Sequence, residues 1–290
     1  MLEKLNESAH MTKRFYFMAG LPRSGSTLLS AILNQNPEIH SGPSSPVVST
    51  MHVLESHFKK EELYNAFPKK PQADQIISNV ISQYYSDIDK PVVIDKNRAW
   101  VAQVPYIENY IGQRAKIICP VRDVDEILTS MISMIRRNAQ SAGTTGSNFI
   151  DQQLGRLNLS INDENRCNFI ASPNGILGMS LKAIRDGAAA GYLDRMLFVE
   201  YRDLVSDPES CLRRIYGFLD KPYFKHDFGN LENTFRENDQ GVYGLGDMHE
   251  VRRQLAATAP APKDVLPASV IARCRGMDLW RHPEALRAVR

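Results

Sequence analysis

Phe15-Tyr16-Phe17-Met18-Ala19-Gly20-Leu21-Pro22-Arg23-Ser24-Gly25-Ser26-Thr27-Leu28-Leu29 is the stretch that decides the fold. Its first five residues are apolar or aromatic and predict a strand covered on both faces. Leu28, Leu29, Ile32 and Leu33 then recur at helical spacing. Between them lies a loop bounded by Gly20 and Gly25. Strand, glycine-bounded loop and helix form the geometry in which backbone N–H groups and a positive helix terminus hold a phosphate. The spacing equals the GxxxxGK[ST] signature of nucleotide-triphosphate loops, with Ser26 at the lysine position. Losing that lysine removes the usual contact to the β- and γ-phosphates and disfavours magnesium-assisted phosphoryl transfer. Arg23 supplies a cation within the loop instead, suited to a bidentate grip on a phosphate or a sulfonate.

Outward from this loop, three further apolar runs predict strands: Pro91–Ile94, Ala115–Cys119 and Met196–Tyr201. Helical patterns alternate with them. Ile76, Ile77, Val80, Ile81, Tyr84 and Tyr85 mark one helix, and Val124, Ile127, Leu128, Met131, Ile132 and Ile135 mark another. Asp207 with Pro208 opens a third, as N-cap and first helical residue, which buries Leu212, Ile215, Tyr216 and Leu219. The expected fold is α/β, an open and mainly parallel sheet flanked by helices, with a helical and loop cap over the site. A single domain over 1–290 accounts for the pattern. Within it, Gln140–Ser147 reads as a loop, a cap insertion runs over about 138–180, and a C-terminal extension occupies about 256–290, with a terminal helix near Ala268–Leu279.

Composition narrows the function. The 290 residues carry 35 Lys+Arg against 33 Asp+Glu, a formal charge of +2. Such a balance gives no global field for nucleic acid or an anionic membrane, so any anion site is local. No apolar run approaches the roughly 18 residues of a membrane span. The polar, acidic start MLEKLNESAHMTKR is unlike a signal or transit peptide. Cys119, Cys167, Cys211 and Cys274 are widely spaced and form no metal-ligand pattern, which points to reduced thiols and a cytoplasmic setting.

The second phosphate-binding element is Arg122, in Pro120-Val121-Arg122-Asp123 at the end of a strand, with Ser130 two turns into the following helix. Carboxyl ends of strands beside the first loop are where open α/β sheets bind ligands. Together, GLPRSGST, VRDVDEILTS and VEYRDLVSDP, each at a strand end and in this order over about residues 14–220, resemble the signatures of sulfotransferases that use 3′-phosphoadenosine-5′-phosphosulfate (PAPS). The resemblance is nearer to the tyrosylprotein and bacterial branches than to the cytosolic phenol enzymes, which place lysine where Arg23 stands. It implies that Arg23, Ser24, Gly25, Ser26 and Thr27 hold the 5′-phosphosulfate, that Arg122 and Ser130 hold the 3′-phosphate, and that Tyr201 borders the adenosine. Lys96, after the Pro91–Ile94 strand, matches the lysine that the family places on the transferring group, so Arg23 and Lys96 are the expected catalytic cations. PAPS is the expected co-substrate, without a metal. Met134 stands where the tyrosylprotein branch has a further arginine.

Sulfuryl transfer also needs a base for the acceptor proton. Arg98 occupies the position of the cytosolic enzymes' histidine, and Ser41–Pro46, where the tyrosylprotein branch has its glutamate, holds no titratable group. His52 and Glu55, three residues apart on one predicted helix face, are the leading candidates. His40, His57, Asp95 and His249 are the others. Arg252, in the loop-like Gly246–Arg253 stretch, is a further candidate phosphate ligand. Trp100 and Tyr106 suit either an acceptor pocket or the core.

The implied reaction transfers a sulfuryl group to a hydroxyl, in preference to an amine, on an acceptor the sequence does not identify. Homodimerisation is common in the family, though no interface is legible, and a bacterial or phage cytoplasmic enzyme fits best. Two rivals stand beside this reading. A nucleotide kinase would need the absent loop lysine and a magnesium-binding Asp95 or Asp123. A non-catalytic nucleotide-binding homologue would keep the site and lack the base.

Overall fold

A computed structural model describes residues 13–142, 148–255 and 260–282. Five strands form one sheet: β1 (Arg14–Met18), β2 (Ile39–Ser44), β3 (Val92–Lys96), β4 (Ile117–Val121) and β5 (Met196–Glu200). Their order is β2-β3-β1-β4-β5, and every pairing is parallel. The expected strands are all present; β4 lies two residues nearer the C-terminus than expected, and β3 starts one residue later and ends two later, so Asp95 and Lys96 belong to the sheet. β2 is the strand the sequence pattern conceals. Ile39-His-Ser-Gly-Pro-Ser44 carries no β-branched run, and its glycine and proline are tolerated because it lies at the sheet edge, with a register shift between Ser41 and Ser44.

Alternation along the strands feeds two cores. Phe15 and Phe17 of β1 join Val93, Ile117 and Cys119 on one face, covered by helices Val47–Lys60, Lys70–Tyr84 and Val124–Ala142. Tyr16 and Met18 face the other way, onto Leu29, Ile32 and Leu33 of the Ser26–Leu33 helix and Leu212, Ile215 and Tyr216 of Pro208–Phe218. The latter helix is capped as expected, Asp207 accepting from the Ser210 N–H. A strand buried on both faces must be apolar throughout, which is why β1 and β4 were readable.

The stretch expected to be an insertion over the sheet is folded into its covering layer. Val124–Ala142 extends to residue 142, so Gln140 is helical; residues 143–147 of the expected loop lie outside the described residues. Helices Phe149–Arg156, Asp163–Ala171 and Ile176–Ala189 follow and place Ile150, Ile170, Leu177, Leu181 and Ile184 in the main core. A buried clamp ties the first two together: Arg166 donates through Nε to Asp151 (2.7 Å) and through Nη2 to the same carboxylate (2.8 Å), and through Nη1 to Asp163 of its own helix (2.7 Å). The N-terminal segment 1–12, residues 256–259 of the expected C-terminal connection and residues 283–290 also lie outside the described residues. The terminal helix is shorter than its pattern, Ala268–Cys274, with a separate 3-10 turn at Leu279–Arg281.

Candidate functional site

The loops after β1, β3 and β4 open on one edge of the sheet, where a cleft of about 340 Å³ is lined by the Gly20–Thr27 loop, Lys96, Arg98, Arg122, Ser130, Arg137, Tyr201 and residues 247–252. The loop's shape follows from its sequence. Gly20 passes so close to β4 that a Cβ there would lie 2.0 Å from the Pro120 carbonyl oxygen, and Leu21 N–H donates to that oxygen at 2.9 Å. Gly25 adopts φ +88°, and a Cβ would press on the Tyr201 ring at 2.7 Å. Arg23 is itself left-handed, at φ +56°, a conformation that costs an L-residue about 1–2 kcal/mol. Ser24 is fully buried and turns inward, its hydroxyl donating to the Leu21 carbonyl (2.6 Å), so its side chain fixes the loop. Ser26 and Thr27 open the helix, whose first turn has neither a side-chain cap nor an acidic residue. Its amides are thus left for an anion.

The first and second motifs meet directly. Arg23 donates through Nε to Ser130 Oγ at 3.2 Å and through Nη1 to the Met248 carbonyl. Arg122 donates to the Arg23 carbonyl (3.3 Å) and to Glu126 (2.8 Å), and its guanidinium lies 4.3 Å over the Tyr201 ring. Burial lowers the Arg23 pKa, and the nearby charges of Arg122 and Arg137 lower it further, while Asp247 opposes the shift. The two candidate anion-binding elements therefore form one continuous cationic wall.

Lys96 closes the other side. It ends β3 beside Met18, is only 5% exposed, and its ammonium has no hydrogen-bond or ion-pair partner among the described residues. Burial lowers its pKa, partly countered by Glu237 and Asp239 and reinforced by Arg98. Strand alternation sends the preceding Asp95 to the opposite face, where it accepts from Ser45 (2.5 Å), Tyr85 (2.8 Å) and Trp100 Nε1 (2.6 Å). Burial raises the Asp95 pKa against those three donors. Asp95 is thus a core residue, neither a base nor a magnesium ligand, and Trp100 is core with it. Asp123 pairs with Arg281 at 2.8 Å and does not line the cleft.

The leading base candidates from the sequence are elsewhere. His52 Nδ1 lies 3.0 Å from the Tyr106 hydroxyl, while Glu55 accepts from Tyr106 and from Tyr110 (3.1 Å) and pairs with Lys59 (3.0 Å). Neither lines the cleft. The Tyr106 bond holds the Glu55 pKa down, which makes it a poorer base. His40 is buried against Tyr85 and Phe235, and His57 lies on the surface near Glu61. His249 does reach the cleft, its Nδ1 2.6 Å from Asp239 and 3.5 Å from Glu237. These three residues bring their ligating atoms within 4.8 Å of one another, a cluster that spacings of two and ten residues do not announce. Arg252 also lines the cleft, from its rim.

Arg137 was missed as a site residue. It lies seven positions beyond Ser130, hence on the same helix face. There it pairs with Asp247 (2.7 Å), which Asn138 also holds (2.7 Å). Met134 is buried in the core, so the missing arginine of the second motif has a neighbour in space one turn further on.

A glycine-bounded loop at the central strand of a parallel sheet, with converging cations, defines a nucleotide-phosphate-binding α/β fold. Residues 16–226 match the model of the sulfotransferase family, and the chain belongs to that family. It is similar to protein-tyrosine sulfotransferase A of Caenorhabditis elegans, 26% identical over 253 residues covering 82% of this chain and 60% of that protein. The protein-tyrosine sulfotransferase of Drosophila melanogaster is 25% identical over 214 residues, covering 71% and 38% of the two chains. The chain thus spans less than two thirds of the length of these two relatives. Among solved structures, the sulfotransferase domain from the curacin biosynthetic pathway aligns with a TM-score of 0.49 and 14% identity, over 90% of this chain and 97% of that domain. Among the described residues, no helix is long and apolar enough to cross a membrane.

Proposed function

We propose that this chain transfers the sulfuryl group of PAPS to a hydroxyl acceptor and releases 3′-phosphoadenosine-5′-phosphate (PAP). Lys96 is the observation that carries the reading. A lysine 5% exposed, whose ammonium has no direct ion-pair partner among the described residues and feels Glu237 and Asp239 only at longer range, is a poorly compensated buried charge, which proteins retain where an anion is to be bound. Arg23 and the helix terminus at Ser26 and Thr27 face the same cleft, so the 5′-phosphosulfate belongs between them. Arg122 and Ser130, with Arg137, receive the 3′-phosphate, and Tyr201, stacked under Arg122, borders the base. Charge accumulating on the bridging and peripheral oxygens is met by fixed cations. Because those cations are side chains, a chelator leaves the rate unchanged in this scheme.

The acceptor is a small molecule or polymer presenting a hydroxyl; the tyrosine-directed relatives make an exposed tyrosine the first to test. A cytoplasmic setting is supported by the wide spacing of the four cysteines along the sequence. Calorimetric titration with PAP beside ATP–magnesium tests the reading. Micromolar binding of PAP with little response to ATP–magnesium is expected; the reverse preference would restore the kinase.

A further inference from the structure

The reading above leaves the acceptor's proton unassigned, since Asp95, His52 and Glu55 are all held away from the cleft. Resting on that reading, we propose that His249 is the general base, that Asp239 positions it, and that the acceptor reaches it through a second cavity.

The ring is held on one side only. Asp239 Oδ1 takes the Nδ1–H at 2.6 Å, and Oδ2 of the same carboxylate accepts from the His249 backbone N–H at 2.9 Å. One carboxylate therefore fixes both the main chain and the tautomer, and the other ring nitrogen keeps its lone pair. Nε2 has no hydrogen-bond partner among the described residues. Asp239 is itself set: its side chain is 7% exposed and it opens the short Asp239–Tyr243 helix, which Asn238 caps by accepting from Gly241 N–H (3.1 Å). Glu237, 3.5 Å from Nδ1, is a second carboxylate for the imidazolium. Around the ring stand Asp239 and Glu237, the Tyr243 ring at 6.1 Å, Asn233 on the His249 carbonyl (3.1 Å) and, within electrostatic reach of both carboxylates, Lys96. Histidine, orienting carboxylate and a cation for the leaving oxygen thus share one corner of the cleft.

Position supports the same assignment. His249 lines the donor cleft and also a neighbouring cavity of about 420 Å³ bounded by Leu231, Phe235, Arg236 and Glu237. A hydroxyl entering there meets His249 before it meets the sulfuryl group. In the step, the acceptor oxygen forms the new S–O bond as its proton passes to His249 Nε2. The bond from sulfur to the bridging 5′-phosphate oxygen breaks, its electron pair stays on PAP, and the imidazolium afterwards yields the proton to water.

The test, run at mildly alkaline pH, uses two acceptors of different acidity, N-acetyltyrosinamide, still un-ionised there, and p-nitrophenolate, by then deprotonated. His249→Gln is expected to lower kcat/KM for the tyrosine amide by about 10²–10⁴-fold, with a loss at least tenfold smaller for p-nitrophenolate. Its PAP affinity should stay within about threefold of the natural chain's, reporting an intact donor site. Asp239→Asn should lower kcat for the tyrosine amide while sparing KM. Equal losses on the two acceptors, or losses below threefold on both, would overturn the base assignment. Failure of the natural chain to bind PAP would instead overturn the sulfotransfer reading.

Discussion

Replacing Lys96 by methionine should stabilise the protein while disabling it. The ammonium is 5% exposed, and burial lowers its pKa even though Glu237 and Asp239 pull the other way. A lysine whose folded pKa lies below its unfolded value opposes folding at every pH below that folded pKa. The penalty fades as pH rises toward the unfolded value near 10.4. Replacing a buried charge with an apolar side chain of similar volume typically gains about 1–4 kcal/mol. The residual attraction to two carboxylates puts Lys96 at the low end, about 1–2 kcal/mol. At about 2–4 °C per kcal/mol for a chain of this order, the melting midpoint at pH 7 should rise by about 2–8 °C. The difference between variant and natural chain should shrink on going to pH 10. Meanwhile, loss of a cation preorganised for the leaving oxygen should cost about 10²–10³-fold in sulfuryl transfer. Scanning calorimetry at pH 7 and 10, beside a transfer assay with labelled PAPS, measures both. A variant that melts lower at pH 7, or that transfers at the natural rate, would refute the reasoning.

Three further changes probe the surrounding contacts. Arg122→Ala should weaken PAP by about 10–100-fold, a charge-assisted bond's worth, and adenosine 5′-phosphate far less; equal losses would mean that Arg122 does not meet the 3′-phosphate. Asp247→Asn should tighten PAP about two- to fivefold, because an anion now paired with Arg137 no longer competes; weaker binding in calorimetry would show that Asp247 organises the site instead. Asp151→Ala leaves Arg166 buried without its bidentate partner, so urea denaturation should show a loss of about 3–5 kcal/mol. The double change Asp151→Leu with Arg166→Met should recover most of it, and a single variant as stable as the natural chain would empty the clamp of its role.

Legibility in the sequence tracked how local each determinant is. β1, its loop and the following helix were plain because a doubly covered strand must be continuously apolar and a phosphate-binding turn must have glycine where Cβ would strike Pro120 or Tyr201. β2 was hidden because an edge strand with a register shift can carry Gly42 and Pro43. β3 reads as ending early because a charged pair such as Asp95-Lys96 looks like the start of a loop. In the sheet the two residues face opposite ways, one into three hydrogen-bond donors and the other into the cleft.

The base was the least legible part for the same reason. His52 and Glu55 sit at the spacing that puts two groups on one helix face, and they are indeed neighbours, but both face Tyr106. Helical spacing says which residues share a face and nothing about what that face meets. His249 and Asp239 have no such periodicity; they stand ten positions apart across a short helix and a strap, and only the hold of the Asp239 carboxylate on both the His249 backbone and its ring makes them a pair. That strap crosses the cleft, since the Met248 carbonyl accepts from Arg23 and Asp247 pairs with Arg137. The same short segment therefore binds the donor-site cations and carries His249. In the proposed scheme, donor entry exchanges the contacts of Asp247 and Met248 for those of a phosphosulfate, and so bears directly on where His249 sits. A segment of this kind, read from sequence, is a loop with a histidine; its role comes from the side chains waiting beneath it.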